Sequence, residues 1–237
     1  MVLFFRDQPL TPEQHVGFAK IFGEVQMGGT IPRLEEQPEI KKQEYTQQSQ
    51  VTGDVNMHAD DTFVEIPSRC SILHGVKMPK AGGDPLWSNF EAAYAALSQP
   101  MKDMLGPLQA EHNLSAKFGN IAPGVEDPEM KVRIHKHYPP VQHPVIRTHP
   151  VSGRRCIYVN EMVTTRIIGL EPAESDTILA FLIAHLKNPI FQCRLHWQDH
   201  TVAVWDNRSV QHQVLADFQP AYRLNQRIAI SDDTRPA

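Results

Sequence analysis

Three widely separated positions carry residue types that can hold a metal ion. His58 and Asp60 stand one residue apart in NMHADDTF (56–63), and His212 stands in VAVWDNRSVQHQV (202–214). In extended backbone, residues i and i+2 point to the same face, so His58 and Asp60 can converge on one point. Alone, the triplet reads by default as solvated polar residues at a strand end, since 12 histidines in 237 residues give such pairings by chance. His212 follows the alternating strand Thr201 to Trp205, where a side chain can project from a rigid sheet. Arg223 and Arg227 come next, in YRLNQRIAIS, and their even spacing puts both on one side of that strand, opposite Ile228 and Ile230. An arginine facing a β-barrel interior needs an anion there, because an unpaired buried charge is too costly. Two such arginines imply two anionic groups. Two histidines and one carboxylate on one face of an octahedron leave three positions open, the arrangement of non-haem Fe(II) oxygenases. An arginine beyond the last histidine would then hold the far carboxylate of 2-oxoglutarate, whose keto-acid end chelates iron. The other reading of the same residues is a strand-end histidine with surface arginines.

Rigid elements must position these residues. VLFF, directly after Met1, reads as a strand that begins abruptly. TPEQHVGFAKIFGE predicts a helix with Thr11 as N-cap, Pro12 at the first position and Gln14 completing a capping box. Val16, Ala19 and Phe22 share its apolar face, widened by Phe18 and Ile21. Residues 26–56 are polar and rich in Gly, Pro and Gln, a loop with one short strand near Glu39 to Glu44; long loops of this kind often carry function. TFVEI and CSILHGVKM read as strands and KAGGDPLW as a turn. Ser88 and Glu91 read as a second capping box opening a helix toward Leu105, with a further short helix starting at Pro100. Residues 115–140 read as irregular. HPVIRTHPVSGRRCIYVN reads as two extended segments joined by a Ser-Gly turn. Pro172 to Leu186 predicts the strongest helix, with Ile178, Leu179, Leu182, Ile183 and Leu186 on one stripe. FQCRLHW, TVAVWD and RLNQRIAIS return to alternation. Many short strands, few helices, no repeat and no linker imply one β-rich α+β domain over 1–237 with helices packed outside. Regular strand–helix alternation is missing, which disfavours a doubly wound fold.

Hydrophobic residues make up 41% of the chain and charged residues 21%, values typical of a soluble globular protein. A formal charge of −4 and the lack of any Lys/Arg run argue against a nucleic-acid partner. The pairs Lys41–Lys42 and Arg154–Arg155 read as solvated surface. Cys70, Cys156 and Cys193 form neither a metal knuckle nor a disulfide framework, which fits a reducing cytoplasm. No apolar run approaches the roughly 18 residues of a membrane span, and the start is not that of a signal peptide.

The ordered stretches FFRDQPLTPEQHVGFAKIFGE, MHADDTF, GGDPLWSNFEAAYAALS, HPVIRTHPVSGRRCIYVNE, TTRIIGL, VWDNRSVQHQ and RLNQRIAI cover nearly the whole chain. In them the chain resembles the taurine dioxygenase family, which includes 2,4-dichlorophenoxyacetate dioxygenases and alkylsulfatases. The resemblance implies a double-stranded β-helix, a jelly roll with iron at its mouth. It implies His58, Asp60 and His212 as Fe(II) ligands, Arg223 on the distal carboxylate of 2-oxoglutarate, and Arg227 on the anionic group of the substrate. It also puts Val163 at the substrate, and Trp205 and Asn207 beside the third ligand as supports. The implied reaction uses O2, decarboxylates 2-oxoglutarate to succinate and CO2, and hydroxylates a C–H of a small anionic molecule. Hydroxylation beside S, O or N then collapses to an aldehyde and a released anion. The family precedent is a homo-oligomer, a dimer or tetramer.

Three departures from the family pattern bear on function. Pro85 stands where the family has a threonine whose hydroxyl donates to the carboxylate held by Arg223; losing that bond costs about 1.5–3 kcal/mol, so weaker 2-oxoglutarate binding is expected. In VQMGGTIP, Gly28 or Gly29 stands where the taurine enzyme has a sulfonate-binding histidine, and Asp61 follows the ligand Asp60 where relatives carry a small or apolar residue. An acid there suits an amine or hydroxyl, or else it turns outward or bonds the loop backbone; taurine itself is a poor fit. Third, family members carry a strand and helix before the segment that begins this chain, so the first strand is expected to be covered by a partner chain or to cost stability. Two other readings compete: a catalytically impaired jelly roll that binds without efficient turnover, and a zinc hydrolase using the same ligands.

Overall fold

The computed structural model describes residues 1–27, 32–49, 56–117 and 127–237. Its centre is a five-stranded antiparallel sheet of β1 (Val2–Phe5), β11 (Thr201–Asp206), β3 (Cys70–Lys77), β13 (Arg223–Ile230) and β2 (Lys41–Tyr45), in that spatial order. Against it packs a three-stranded sheet in which β4 (Pro85–Asn89) lies between β10 (Gln192–Arg194) and β12 (Val210–Val214). A second three-stranded sheet has β5 (Gln109–His112) between β6 (Val141–Pro144) and β9 (Thr164–Ile167), and β7 (Ile146–Thr148) pairs with β8 (Arg155–Ile157). This is the expected jelly-roll core with flanking helices.

Strand alternation sorts the side chains of the large sheet into two layers. Ile72, Val202, Val204, Ile228 and Ile230 face outward and are covered by Val16 and Ala19 of α1 (Pro12–Lys20). Leu73, Ala203 and Trp205 face inward and meet Trp87 and Val210 of the opposing sheet. The α1 capping box forms as the sequence predicts, from Thr11 and Gln14, although Ile21 is exposed rather than on the packed face. A third cluster packs Leu179, Leu182 and Leu186 of α5 (Pro172–Leu186) against Phe90, Ile157 and Tyr158.

Three local expectations are corrected. TFVEI forms turns rather than a strand. Ser88 is not an N-cap: it ends up inside β4 and donates to Leu186 O at 2.6 Å, while Asn89 caps the short α2 (Phe90–Ala95) and Ser98 caps α3 (Gln99–Leu105). The irregular reading of 115–140 missed α4 (Pro128–His137), whose Asp127 cap and Pro128 are ordinary start signals obscured by a polar sequence with no buried face. Among the described residues no helix is long and apolar enough to cross a membrane.

His15, His112 and His143 are buried, and burial pushes their pKa values down to about 4, about 3 and about 4 respectively. The unfolded chain therefore binds protons more readily than the fold, so the stability these groups allow is fully present above pH 6.5 and is lost as pH falls toward 4. Each contributes a limiting slope of about 1.4 kcal/mol per pH unit. Urea midpoints measured from pH 7 to pH 4 should fall with a slope that flattens on replacing His15 and His112; a flat profile contradicts their neutral burial.

Candidate active site

His58 and Asp60 do not lie on a regular strand. His58 forms an isolated bridge with His212 of β12, its N–H donating to His212 O at 3.0 Å and the His212 N–H returning to His58 O at 2.7 Å. The exchange brings the two imidazoles to 4.3 Å between centroids. Asp60 follows in the turn, with Oδ1 3.8 Å from His58 Nε2 and 3.7 Å from His212 Nε2. One ligand atom from each residue lies within 4.8 Å of the others, and among the described residues this is the one such cluster. Two ligand atoms about 2.1 Å from one ion can be at most about 4.2 Å apart, so both carboxylate–imidazole spacings suit a shared ion.

The protonation states suit it as well. Burial lowers the pKa of both histidines, His212 to about 3, leaving the neutral rings that bind metals. The Asn56 carbonyl, 2.7 Å from His58 Nδ1, accepts a hydrogen bond from Nδ1–H, which leaves Nε2 with its lone pair free for a metal. Burial pushes Asp60 upward, but its neighbours, the Arg227 charge foremost, outweigh it and hold the carboxylate ionised. Ser71 Oγ donates to Asp60 Oδ2 at 2.7 Å, which fixes the carboxylate plane. Asn207 joins the site to β11: its Oδ1 accepts from Trp205 Nε1 at 2.8 Å and more weakly from Asp60 N at 3.4 Å, and its Nδ2 donates to Ser68 Oγ. Trp205 rests its ring 4.8 Å from that of His212.

The inner face of β13 is polar. Arg223, Asn225 and Arg227 lie along it, in register with Tyr45, Gln43 and Lys41 of β2. Arg227 Nη2 reaches Asp60 Oδ1 at 3.1 Å. Arg223 is 3% exposed, and no carboxylate of the described residues lies within ion-pair distance of it. Its guanidinium lies against the edge-packed pair Tyr45 and Phe218, 5.8 and 5.2 Å from their ring centroids, and its buried Nε has no hydrogen-bond partner among the described residues. Burial lowers its pKa to about 10, which still leaves it charged. A fixed, dry cation of this kind fits a carboxylate ligand.

Sequence reasoning took Lys41 for solvated surface, and the structure corrects this: Lys41 is 5% exposed, on the inner face opposite Arg227. In a strand, adjacent lysines face opposite ways, so only Lys42 reaches solvent, where it pairs with Glu44. Ser71, Tyr45 and Asn225 were also missed, because polar residues inside a strand carry no local signal of which face they take. Asp61 adopts φ 60, in the left-handed region that Asp tolerates better than most residues, and its Oδ2 is buried without a partner. Pro85 is buried at the start of β4, where its carbonyl accepts from Leu195 N. Val163 is buried and bonded to Asn160, whose Nδ2 donates to Thr62 beside the ligand turn. Gly28 and Gly29 lie outside the described residues.

A jelly roll with two histidines, one carboxylate and an inward arginine defines the 2-His-1-carboxylate class of site. Residues 1–229 match the family described as taurine catabolism dioxygenase TauD, TfdA family, and the chain belongs to that family. It is 32% identical over 237 residues to the alpha-ketoglutarate-dependent sulfate ester dioxygenase of Pseudomonas putida, covering 98% of this chain and 77% of that one. It is 32% identical over 230 residues to the alpha-ketoglutarate-dependent 2,4-dichlorophenoxyacetate dioxygenase of Burkholderia sp. strain RASC, with 90% and 75% covered. Among solved structures, a taurine dioxygenase from Burkholderia xenovorans superposes with a TM-score of 0.82 at 31% identity, over 100% of this chain and 78% of that one. AAD-2 in complex with Mn(II) and N-oxalylglycine superposes with a TM-score of 0.80 at 25% identity, over 100% and 84%.

Ser71→Ala removes the hydroxyl that orients Asp60 and should weaken Fe(II) affinity by roughly 10–100-fold, read by anaerobic metal titration. Unchanged affinity would mean that Asp60 is oriented without it.

Proposed function

We propose that this protein is an Fe(II)- and 2-oxoglutarate-dependent dioxygenase that hydroxylates a small anionic organic molecule. The observation that carries the reading is the His58–Asp60–His212 cluster on the same inner surface as the buried Arg223, which has no ion pair among the described residues. His58, Asp60 and His212 would hold the iron, and Arg223 the distal carboxylate of 2-oxoglutarate. Bound iron with 2-oxoglutarate supplies O2 activation, consuming the co-substrate as succinate and CO2. The chain's own residues do the rest. Ser71 and Asn207 orient the ligand carboxylate and its turn, Trp205 shields His212 from water, and Arg227 meets the anionic group of the substrate so that one C–H faces the metal.

The relatives support this reading: their names specify alpha-ketoglutarate dependence with sulfate ester, sulfonate and aryloxyalkanoate substrates. N-oxalylglycine, bound by AAD-2, is a close shape mimic of 2-oxoglutarate. The three free cysteines fit a reducing cytoplasm. Leu3, Phe4 and Phe5, exposed along edge strand β1, fit a homo-oligomer.

Succinate release, screened over alkylsulfonates, alkyl sulfate esters and aryloxyalkanoates with Fe(II), 2-oxoglutarate and O2, should rise above the substrate-free rate for at least one class. No rise with any class would favour the alternative of a jelly roll that binds without efficient turnover. Pro85→Thr should tighten 2-oxoglutarate binding by roughly tenfold or more, following from one restored charge-assisted hydrogen bond. Calorimetry on the Mn(II)-loaded protein reads this directly, and an unchanged dissociation constant contradicts the account of position 85. Arg227→Ala should raise the KM for substrate more than it lowers kcat; equal effects on both count against its role.

A further inference from the structure

Lys41 is an unexpected charge on the inner face of the sheet. It is 5% exposed, and no hydrogen bond or ion pair to its ammonium occurs among the described residues. Holding an ammonium in a largely buried position beside a second cation, with no ion pair to it, is unfavourable. Lys41 stands directly opposite Arg227 in the β2–β13 pair, and Arg227 stands opposite Leu73 in the β13–β3 pair. Directly opposed residues of antiparallel strands project to one face, so all three face the interior, where Leu73 lines the apolar core between the sheets. Burial and the Arg227 charge both press Lys41 toward the neutral form, while Asp61 and Asp60 favour the charged one. Arg227 is already committed to Asp60 through Nη2. Asp61 has one carboxylate oxygen buried without a partner.

We propose that Lys41 is the second cation of the substrate site: its ammonium and the Arg227 guanidinium clamp one oxyanion of the substrate between them. This rests on the dioxygenase reading above and assigns the substrate end of that site. A sulfonate, sulfate monoester or carboxylate offers at least two acceptor oxygens, one for each cation. Placed between them, it converts a like-charge contact into two charge-assisted hydrogen bonds. The clamp recognises the anionic head and leaves the organic tail to the apolar wall around Leu73 and Trp87. The competing role for Lys41 is structural, as a counter-ion for Asp61. The two roles predict opposite effects on stability, because a clamp lysine is a burden without its anion and a counter-ion lysine is a support.

The test is thermal unfolding of the full chain, without metal and then loaded with Mn(II) and 2-oxoglutarate. The anion probes are hexyl sulfate, hexanesulfonate and 2,4-dichlorophenoxyacetate. Lys41→Met should raise the midpoint of the probe-free protein. At least one probe should stabilise the loaded wild type, with an apparent affinity at least tenfold weaker in Lys41→Met and largely kept in Lys41→Arg. A lower probe-free midpoint for Lys41→Met assigns Lys41 to Asp61 and overturns the clamp. So does a probe response in Lys41→Met equal to that of wild type, or no wild-type response to any of the three. A shift of the Mn(II)-loaded wild type by 2-oxoglutarate alone is the separate control, since its absence counts against the dioxygenase reading and not against the clamp.

Discussion

The backbone exchange between His58 and His212, at 3.0 and 2.7 Å, is the contact on which the rest of the site depends. The turn that carries His58 and Asp60 belongs to no regular strand, so nothing in its local sequence fixes its position. Two hydrogen bonds to β12 fix it, and they set the close, tilted placement of the imidazoles, with 46° between the ring planes. Asp60 is then held by Ser71 of β3 and by Asn207, which follows β11. The site therefore draws contacts from both sheets of the jelly roll. Its geometry is a property of how the sheets close on one another rather than of any single motif.

Charge is the second constraint. Arg223, Arg227 and Lys41 face inward from β13 and β2, and among the described residues only Asp60 lies within ion-pair distance of any of them. An interior with more cations than paired anions is unfavourable unless bound anions complete it. The spatial separation of these cations divides the labour. Arg223 lies against Tyr45 and Phe218 with no ion pair among the described residues, whereas Arg227 and Lys41 share the end of the strand pair nearest Asp60. One end suits a co-substrate carboxylate and the other a substrate anion.

Much of this was legible in the sequence. The helix at Pro172–Leu186 and the α1 capping box are fixed by periodicity and by local hydrogen-bonding chemistry. The triad and Arg223 stood out as candidates because metal and carboxylate chemistry restricts the residue types, and the fold brings the three potential ligands together. Lys41 could not, because KK on a polar stretch gives no sign that alternation turns one lysine into the core. Ser88 misled for a related reason: its hydroxyl and Glu91 imitate a cap, yet sheet pairing carries the strand one residue further and leaves the cap to Asn89. In both places tertiary pairing, rather than local propensity, decided the outcome.

The central claim is that His58, Asp60 and His212 hold an iron which, with Arg223, receives 2-oxoglutarate. Anaerobic titration of the protein with Fe(II) and 2-oxoglutarate tests it most directly. Chelation of the keto acid should produce a visible metal-to-ligand charge-transfer band that saturates with one co-substrate per chain and requires a much higher 2-oxoglutarate concentration in Arg223→Gln. No band in the wild-type protein would contradict the account.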